Sequence, residues 1–311
     1  MRVFRYITFA AATFAVTACT LQTVPDDVVD APQQDLVQWT GPDVPSEPDA
    51  EIASVASPRS SELRLYYARI ANELRSSGGL KQSSDTVTAP AEVARIFKSL
   101  AFANEFTNTT EPLQRWGGSM RVRLRFGPSV NSNETLDLGI KVHDLLPRFA
   151  ITTGLSIERG DPANLHIFFV NEGERRALGP VLQDSIPGMA LADITRITSM
   201  PRTEQCLVMA FEGPVPHTRN QAIVIIREEL PPILKLACLH EEIAQAIGLT
   251  NDHPDARPSI FNDDDEYATL TGLDLDLLRL LYHPDLKTGM TLDTATPIID
   301  RIVATAPQTG G

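Results

Sequence analysis

The run Leu165-His166-Ile167-Phe168-Phe169-Val170 constrains the fold most. Side chains of a strand point alternately to its two faces, so a run that is apolar at nearly every position is apolar on both. Such a strand belongs in the centre of a sheet that is covered on each side. Met120-Arg121-Val122-Arg123-Leu124-Arg125-Phe126 alternates strictly instead, as a half-buried strand does. Cys206–Phe211 and Ala222–Ile226 read as two further strands.

Helical spacing fills the gaps. Leu63, Leu65, Tyr66, Ile70 and Leu74 recur at a helical period from about Ser61, and Gly78-Gly79 end that helix. Residues 90–106 carry Val93, Ile96, Phe97, Leu100 and Phe102 on a second helix, and residues 137–153 form a third. Pro231-Pro232 open a long helix, because proline suits the first helical turn, and Gly248 closes it as a C-cap. Helices near 274–282 and 291–304 follow. This order predicts an α+β, α/β-like domain with a central mixed sheet, a long helix over 232–247 and C-terminal helices.

The first eighteen residues have the parts of an export signal. Arg2 and Arg5 supply positive charge, Ile7–Val16 an apolar stretch, and Thr17 and Ala18 small residues before Cys19. The apolar stretch is shorter than the ~20 residues a spanning helix needs. Val16-Thr17-Ala18-Cys19 resembles the lipobox of bacterial lipoproteins. That resemblance implies cleavage before Cys19, acylation of its thiol and anchoring in a lipid bilayer. Thr20 in place of Asp implies the outer membrane, facing the periplasm. Residues 19–60, with Pro25, Pro32, Pro42, Pro45, Pro48 and Pro58 among many Asp and Ser, read as a disordered tether. The expected organisation is therefore a signal peptide over 1–18, a tether over 19–60, a globular domain over 61–290, and a helix and tail over 291–311.

A net charge of −13 repels phosphate backbones and argues against nucleic-acid partners. Beyond Cys19 the chain has two cysteines, Cys206 and Cys238. In an oxidising compartment two cysteines are expected to pair, the alternative being two buried thiols. P-loop, G-x-S-x-G and G-x-G-x-x-G motifs are absent.

The stretch richest in chemistry is Cys238-Leu239-His240-Glu241-Glu242-Ile243-Ala244-Gln245-Ala246-Ile247-Gly248-Leu249-Thr250-Asn251-Asp252-His253. His240-Glu241 begins like HExxH, but the second histidine position is Ala244, which has no donor atom. Moved by one residue, Glu241 to Asp252 resembles HExxHxxGxxHD, the extended motif of the metzincin metalloproteases. Glu242 then falls on the general base, Gly248 on the turn glycine, and Glu241, Gln245 and Asn251 on the three metal ligands, with Asp252 following. Ser259-Ile260-Phe261-Asn262 resembles the Met-turn of that clan, with Phe261 in the methionine place. Leu270–Asp274 and Leu277–Tyr282 resemble its closing helix. The resemblance runs over roughly residues 119–283, with its motif core in 238–283.

Tyr66-Tyr67, Glu-Glu-x-x-Gln-x-x-Gly-Leu-x-Asn-Asp at 241–252, and Ser-Ile-Phe-Asn at 259–262 also resemble an uncharacterised proteobacterial family of exported proteins, domain of unknown function 2927. Together these resemblances imply a degenerate zincin-like domain at the cell envelope that binds a peptide or an envelope protein beside an edge strand near Cys206–Phe211. Zinc prefers histidine nitrogen or thiolate, so Glu241, Gln245 and Asn251 imply no conventional zinc site. The competing expectation is a hydrolase using an atypical metal, held by Glu241, Gln245, Asn251 and Asp252, with Glu242 as base. The Asp263–Glu266 run would either add oxygen ligands or form a solvated loop. His240 reads as a buried or capping residue, and His253 as a ligand only if the turn differs from the family's.

Overall fold

The computed structural model describes residues 48–305, apart from 56, 83, 85, 103–109 and 263. The signal segment, Cys19 and most of the tether lie outside the described residues.

Two helices, α1 (Ser60–Ser76) and α2 (Pro90–Phe102), precede the sheet. The chain then forms β1 (Arg115–Trp116), β2 (Met120–Phe126), α3 (Ser132–Thr153), β3 (Ile157–Arg159) and β4 (Leu165–Val170). Three short helices follow, α4 (Glu172–Arg176), α5 (Gly179–Ser185) and α6 (Leu191–Thr198). After β5 (Cys206–Glu212) and β6 (Thr218–Arg227) come α7 (Pro232–Ala246), α8 (Gly272–Leu281) and α9 (Leu292–Thr305).

The sheet is mixed, as its alternation and runs predict. β3, β2, β4 and β6 lie side by side in parallel, and β1 adds to the start of β6. β5 runs antiparallel to β6 over nearly its whole length. Because β4 already pairs with that stretch of β6, β5 takes the opposite side and is an edge strand. No other strand among the described residues pairs with it.

Each face of the sheet has its own core. Leu165, Ile167 and Phe169 of β4 join Val122, Leu124 and Phe126 of β2 in the larger core, with the apolar sides of α2, α3, α7 and α8. Phe168 and Val170 join Ile223 and Ile225 in a smaller core closed by α5 and α6. The run in β4 is apolar throughout because both of its faces are covered. The alternation in β2 has a different outcome on its second face. Arg125 is buried there, with its guanidinium 2.9 Å from the Glu51 carboxylate and 3.6 Å from that of Asp49.

Those carboxylates belong to residues that composition assigns to the tether. Asp49 donates its backbone N–H to the Phe126 carbonyl, and Ile52 is buried in the smaller core. This part of the Pro/Asp-rich segment is docked, because Arg125 would otherwise be a buried cation without a counter-charge. α3 starts at Ser132, five residues ahead of the expected helix, because the Asn131 side chain accepts the Glu134 N–H and caps its first turn. α2 reaches Phe102, and the rest of the expected helix, 103–106, lies outside the described residues.

Candidate functional site

α7 carries the site. Pro232 opens it at the first helical position, and Leu239, Ile243, Ala246 and Ile247 bury its inner side completely. Cys238, Glu241, Glu242 and Gln245 stand at i, i+3, i+4 and i+7, which is a single stripe of a helix. That stripe faces a cleft of about 820 Å³ whose other wall is β5. Cys206 of β5 and Cys238 of α7 form a disulfide, Cα to Cα 5.9 Å, which ties the strand to the helix.

The end of α7 is held by two side chains. Arg219 of β6 is buried and donates from Nη1 to the Gln245 carbonyl at 2.7 Å. Its Nε donates to Gln114 Oε1 at 3.1 Å. A guanidinium here satisfies carbonyls left open at the helix C-terminus and complements the helix dipole. Burial lowers its pKa to about 10, which leaves it charged at neutral pH. The Tyr282 hydroxyl donates to the Ile247 carbonyl at 2.8 Å and accepts the Trp116 N–H at 3.0 Å. Gly248 then turns the chain at φ +136°. A Cβ at this position would lie 2.6 Å from the Gln114 carbonyl oxygen, so glycine is required on both counts.

The turn delivers Asp252 to the cleft, where its Oδ1 accepts from Gln245 Nε2 at 3.4 Å. Asn251 goes the other way. Its side chain is buried against α2 and donates to the Ser99 carbonyl at 3.2 Å. Asn251, expected as the third ligand, does not line the cleft. Glu241, Glu242, Gln245 and Asp252 are brought together, and Asn251 is not among them.

Neither histidine of the stretch joins them. His240 is buried on the far side of α7, where Nδ1 accepts the Leu270 N–H at 3.0 Å. Burial pushes its pKa down to about 3, so the ring is neutral. His253 accepts the Asp255 N–H with Nδ1 inside its own turn. The acidic run is divided. Asp264 pairs with Arg257, Glu266 pairs with both Arg257 and Lys81, and Asp265 lines the cleft with a carboxyl pKa raised by burial.

In the Ser259–Asn262 loop, Phe261 is fully buried in the larger core. Asp274 of α8 holds it, accepting from Ser259 Oγ and from the Ile260 N–H. These residues do not fit a zinc ion. Zinc sites take most of their ligands from histidine nitrogen or cysteine sulfur, whereas Glu241, Gln245 and Asp252 offer oxygen alone. Among the described residues no group of three or more His, Cys, Asp or Glu is placed to hold a metal. The chemistry the cleft offers is hydrogen bonding from a strand edge that no other strand among the described residues pairs with, together with carboxyl groups.

Sequence reasoning misses Arg219. An arginine at the start of a strand carries no local sign that its guanidinium will reach a helix end.

The family described as a protein of unknown function, DUF2927, matches residues 90–301, from α2 into α9. No curated protein and no solved structure matches the chain.

Proposed function

The chain belongs to the DUF2927 family, whose description assigns no activity, and we propose that its domain binds an extended polypeptide in the cleft between β5 and α7. The observation that carries this reading is the outer edge of β5, with which no other strand among the described residues pairs. Its Leu-Val-Met-Ala-Phe stretch contains no proline and no charge, the usual protections of an exposed edge. An edge of that composition is suited to strand addition, in which main-chain hydrogen bonds supply affinity and alternate side chains supply specificity. The floor keeps the frame of a zincin helix without the metal ligands.

Acylated Cys19 would hold this domain at a bilayer, with the outer membrane facing the periplasm as its place and an envelope protein or peptide as its partner. Metabolic labelling with a radioactive fatty acid tests the anchor, and retention of label by Cys19→Ser would refute it. The alternative is an atypical metal-dependent hydrolase with Glu242 as base, in which Asp252 beside Gln245 would take the ligand place that Asn251 does not.

Hydrogen–deuterium exchange on the full chain, with and without a random decapeptide library, tests the binding reading. Peptide is expected to slow exchange at alternate amides of Cys206–Phe211. Protection elsewhere, or none at all, refutes it.

A further inference from the structure

We infer that α3 is a second membrane contact, whose exposed aliphatic stripe rests in the surface of a neutral lipid bilayer and turns the cleft away from it. This rests on the reading of Cys19 as the anchor and adds the face that the domain presents to lipid. Leu136, Ile140 and Ile151 of α3 are 51%, 48% and 76% exposed, and Pro147 between them is exposed too. They stand at i, i+4, i+11 and i+15. At about 100° per residue that places them within roughly 60° of the helix circumference, along about 22 Å of its length. The half-buried His143 lies in the gap between Ile140 and Pro147. On the opposite side of the helix Leu138, Val142, Leu145 and Phe149 are buried in the larger core. α3 is therefore apolar on two sides, and only the inner one is covered. Among the described residues the other exposed large apolar side chains, Leu65, Val87, Leu191 and Val215, stand singly on four other segments. Scattered single residues are ordinary, whereas a row of them bordered by polar groups marks an interaction surface.

Three observations select a bilayer as the occupant. The row holds Leu, Ile and Pro, with none of the aromatic residues that anchor protein interfaces, and an acyl phase asks only for apolar area. Its border is balanced in charge. Asp137 pairs with Lys141, and the exposed Asp144 and Arg148 are of opposite sign, so the border offers no net charge to an ionic partner. The third observation is where the chain enters the domain. Asp49 donates its N–H to the carbonyl of Phe126, the last residue of β2, and Asn131, five residues later, caps the first turn of α3. The chain from Cys19 therefore joins the domain at the end where α3 begins. Residues 19–48 reach at most about 100 Å, which leaves α3 free to lie flat on the surface that holds the anchor. α3 packs against β3 at one edge of the sheet, and β5 is at the other, with β2, β4 and β6 between them. A domain resting on α3 thus directs the β5 cleft away from lipid, towards the soluble side.

Co-sedimentation of the full chain carrying Cys19→Ser with phosphatidylcholine vesicles tests this, because that form has no acyl anchor. It is expected to partition onto the vesicles, and equally so at low and high ionic strength, since the contact is apolar. Adding Leu136→Gln, Ile140→Gln and Ile151→Gln together should lower the partition coefficient about tenfold or more. Adding Leu65→Gln and Leu191→Gln, at positions as exposed but isolated, should leave it unchanged. Unchanged melting temperatures show that both variants fold. A fluorophore attached at Ile151→Cys is expected to be quenched by lipids brominated in the acyl chain, and one at Val215→Cys, beyond β5, is not. No partition, an equal loss in the Leu65 and Leu191 variant, or quenching at Val215 as strong as at Ile151 overturns the inference. A dimer in solution that protects the outer side of α3 overturns it in favour of a second copy of the chain. Fatty-acid labelling of Cys19 without partition overturns it and leaves the anchor standing. Partition without labelling sustains the α3 contact and overturns the anchor.

Discussion

Asp274 is a carboxyl group with no exposure to solvent. Its Oδ2 accepts from the Thr271 N–H at 2.7 Å, from Thr271 Oγ1 at 2.9 Å and from the Ile260 N–H at 3.2 Å, and its Oδ1 accepts from Ser259 Oγ. Burial raises its pKa from 3.8 to about 6, and these hydrogen bonds offset only part of that penalty. A raised carboxyl pKa means that the folded state binds the proton more tightly than the unfolded chain. Between about pH 4 and 6 the folded protein therefore holds the extra proton, and stability falls as pH rises through that window. The gap corresponds to roughly 3 kcal/mol, fully present below the unfolded pKa and lost above the folded one. Asp274→Asn removes the titration and keeps an acceptor for the loop. His166 and His240, pushed down to about 4 and 3 by burial, act in the opposite sense and weaken the fold as pH falls below 6.5. Both histidines are present in wild type and variant, so the difference between the two isolates Asp274. Urea unfolding followed by fluorescence of the buried Trp116 at pH 4 to 7.5 measures it. The stability of wild type minus that of Asp274→Asn is expected to drop by roughly 2 kcal/mol from pH 4 to 7, most of the full gap, because pH 4 already lies at the unfolded pKa. A flat difference, or one that grows with pH, would refute the reasoning.

Two further outcomes follow from how α7 is fixed. Gly248→Ala places a Cβ against the Gln114 carbonyl in a backbone conformation that alanine rarely adopts. It should cost roughly 3 kcal/mol, and a melting temperature within 2 °C of wild type in calorimetry would contradict the account. Cys206 and Cys238 are 32 residues apart in sequence, and replacing both with Ser should cost roughly 4 kcal/mol by freeing the unfolded chain. Urea midpoints of the oxidised protein and the double variant measure this, and a loss under 1 kcal/mol would show that the bond does little to hold β5 to α7.

How much of the fold was legible depended on whether the signal was local. β4 could be read because both of its faces are covered, and α7 because Pro232 and Gly248 mark its two ends. The helices α4, α5 and α6 span only 5, 7 and 8 residues, too few for a helical period to emerge from composition. β1 and β3, of 2 and 3 residues, exist through their pairing with β6 and β2 rather than through any pattern of their own. The docking of Asp49, Glu51 and Ile52 could not be read, because it depends on Arg125 more than 70 residues away.

At the site, the helical stripe was legible and the turn beyond it was not. Spacing alone puts Glu241 and Gln245 on one side. It also puts Glu242 over Cys238, which is why all three reach a cleft whose far wall is joined to that cysteine. Past Ile247 the helical rule ends, and the direction of each side chain is set by Gly248. At φ +136° the backbone turns so that Asn251 reaches back to the Ser99 carbonyl on α2 and Asp252 comes forward to Gln245. That exchange of neighbours replaces a neutral amide with a carboxylate in the cleft. An amide at that point would have completed a weak set of oxygen ligands around one position. A carboxylate instead stands there beside Gln245, in the cleft that Glu241 and Glu242 also line and whose other wall is β5.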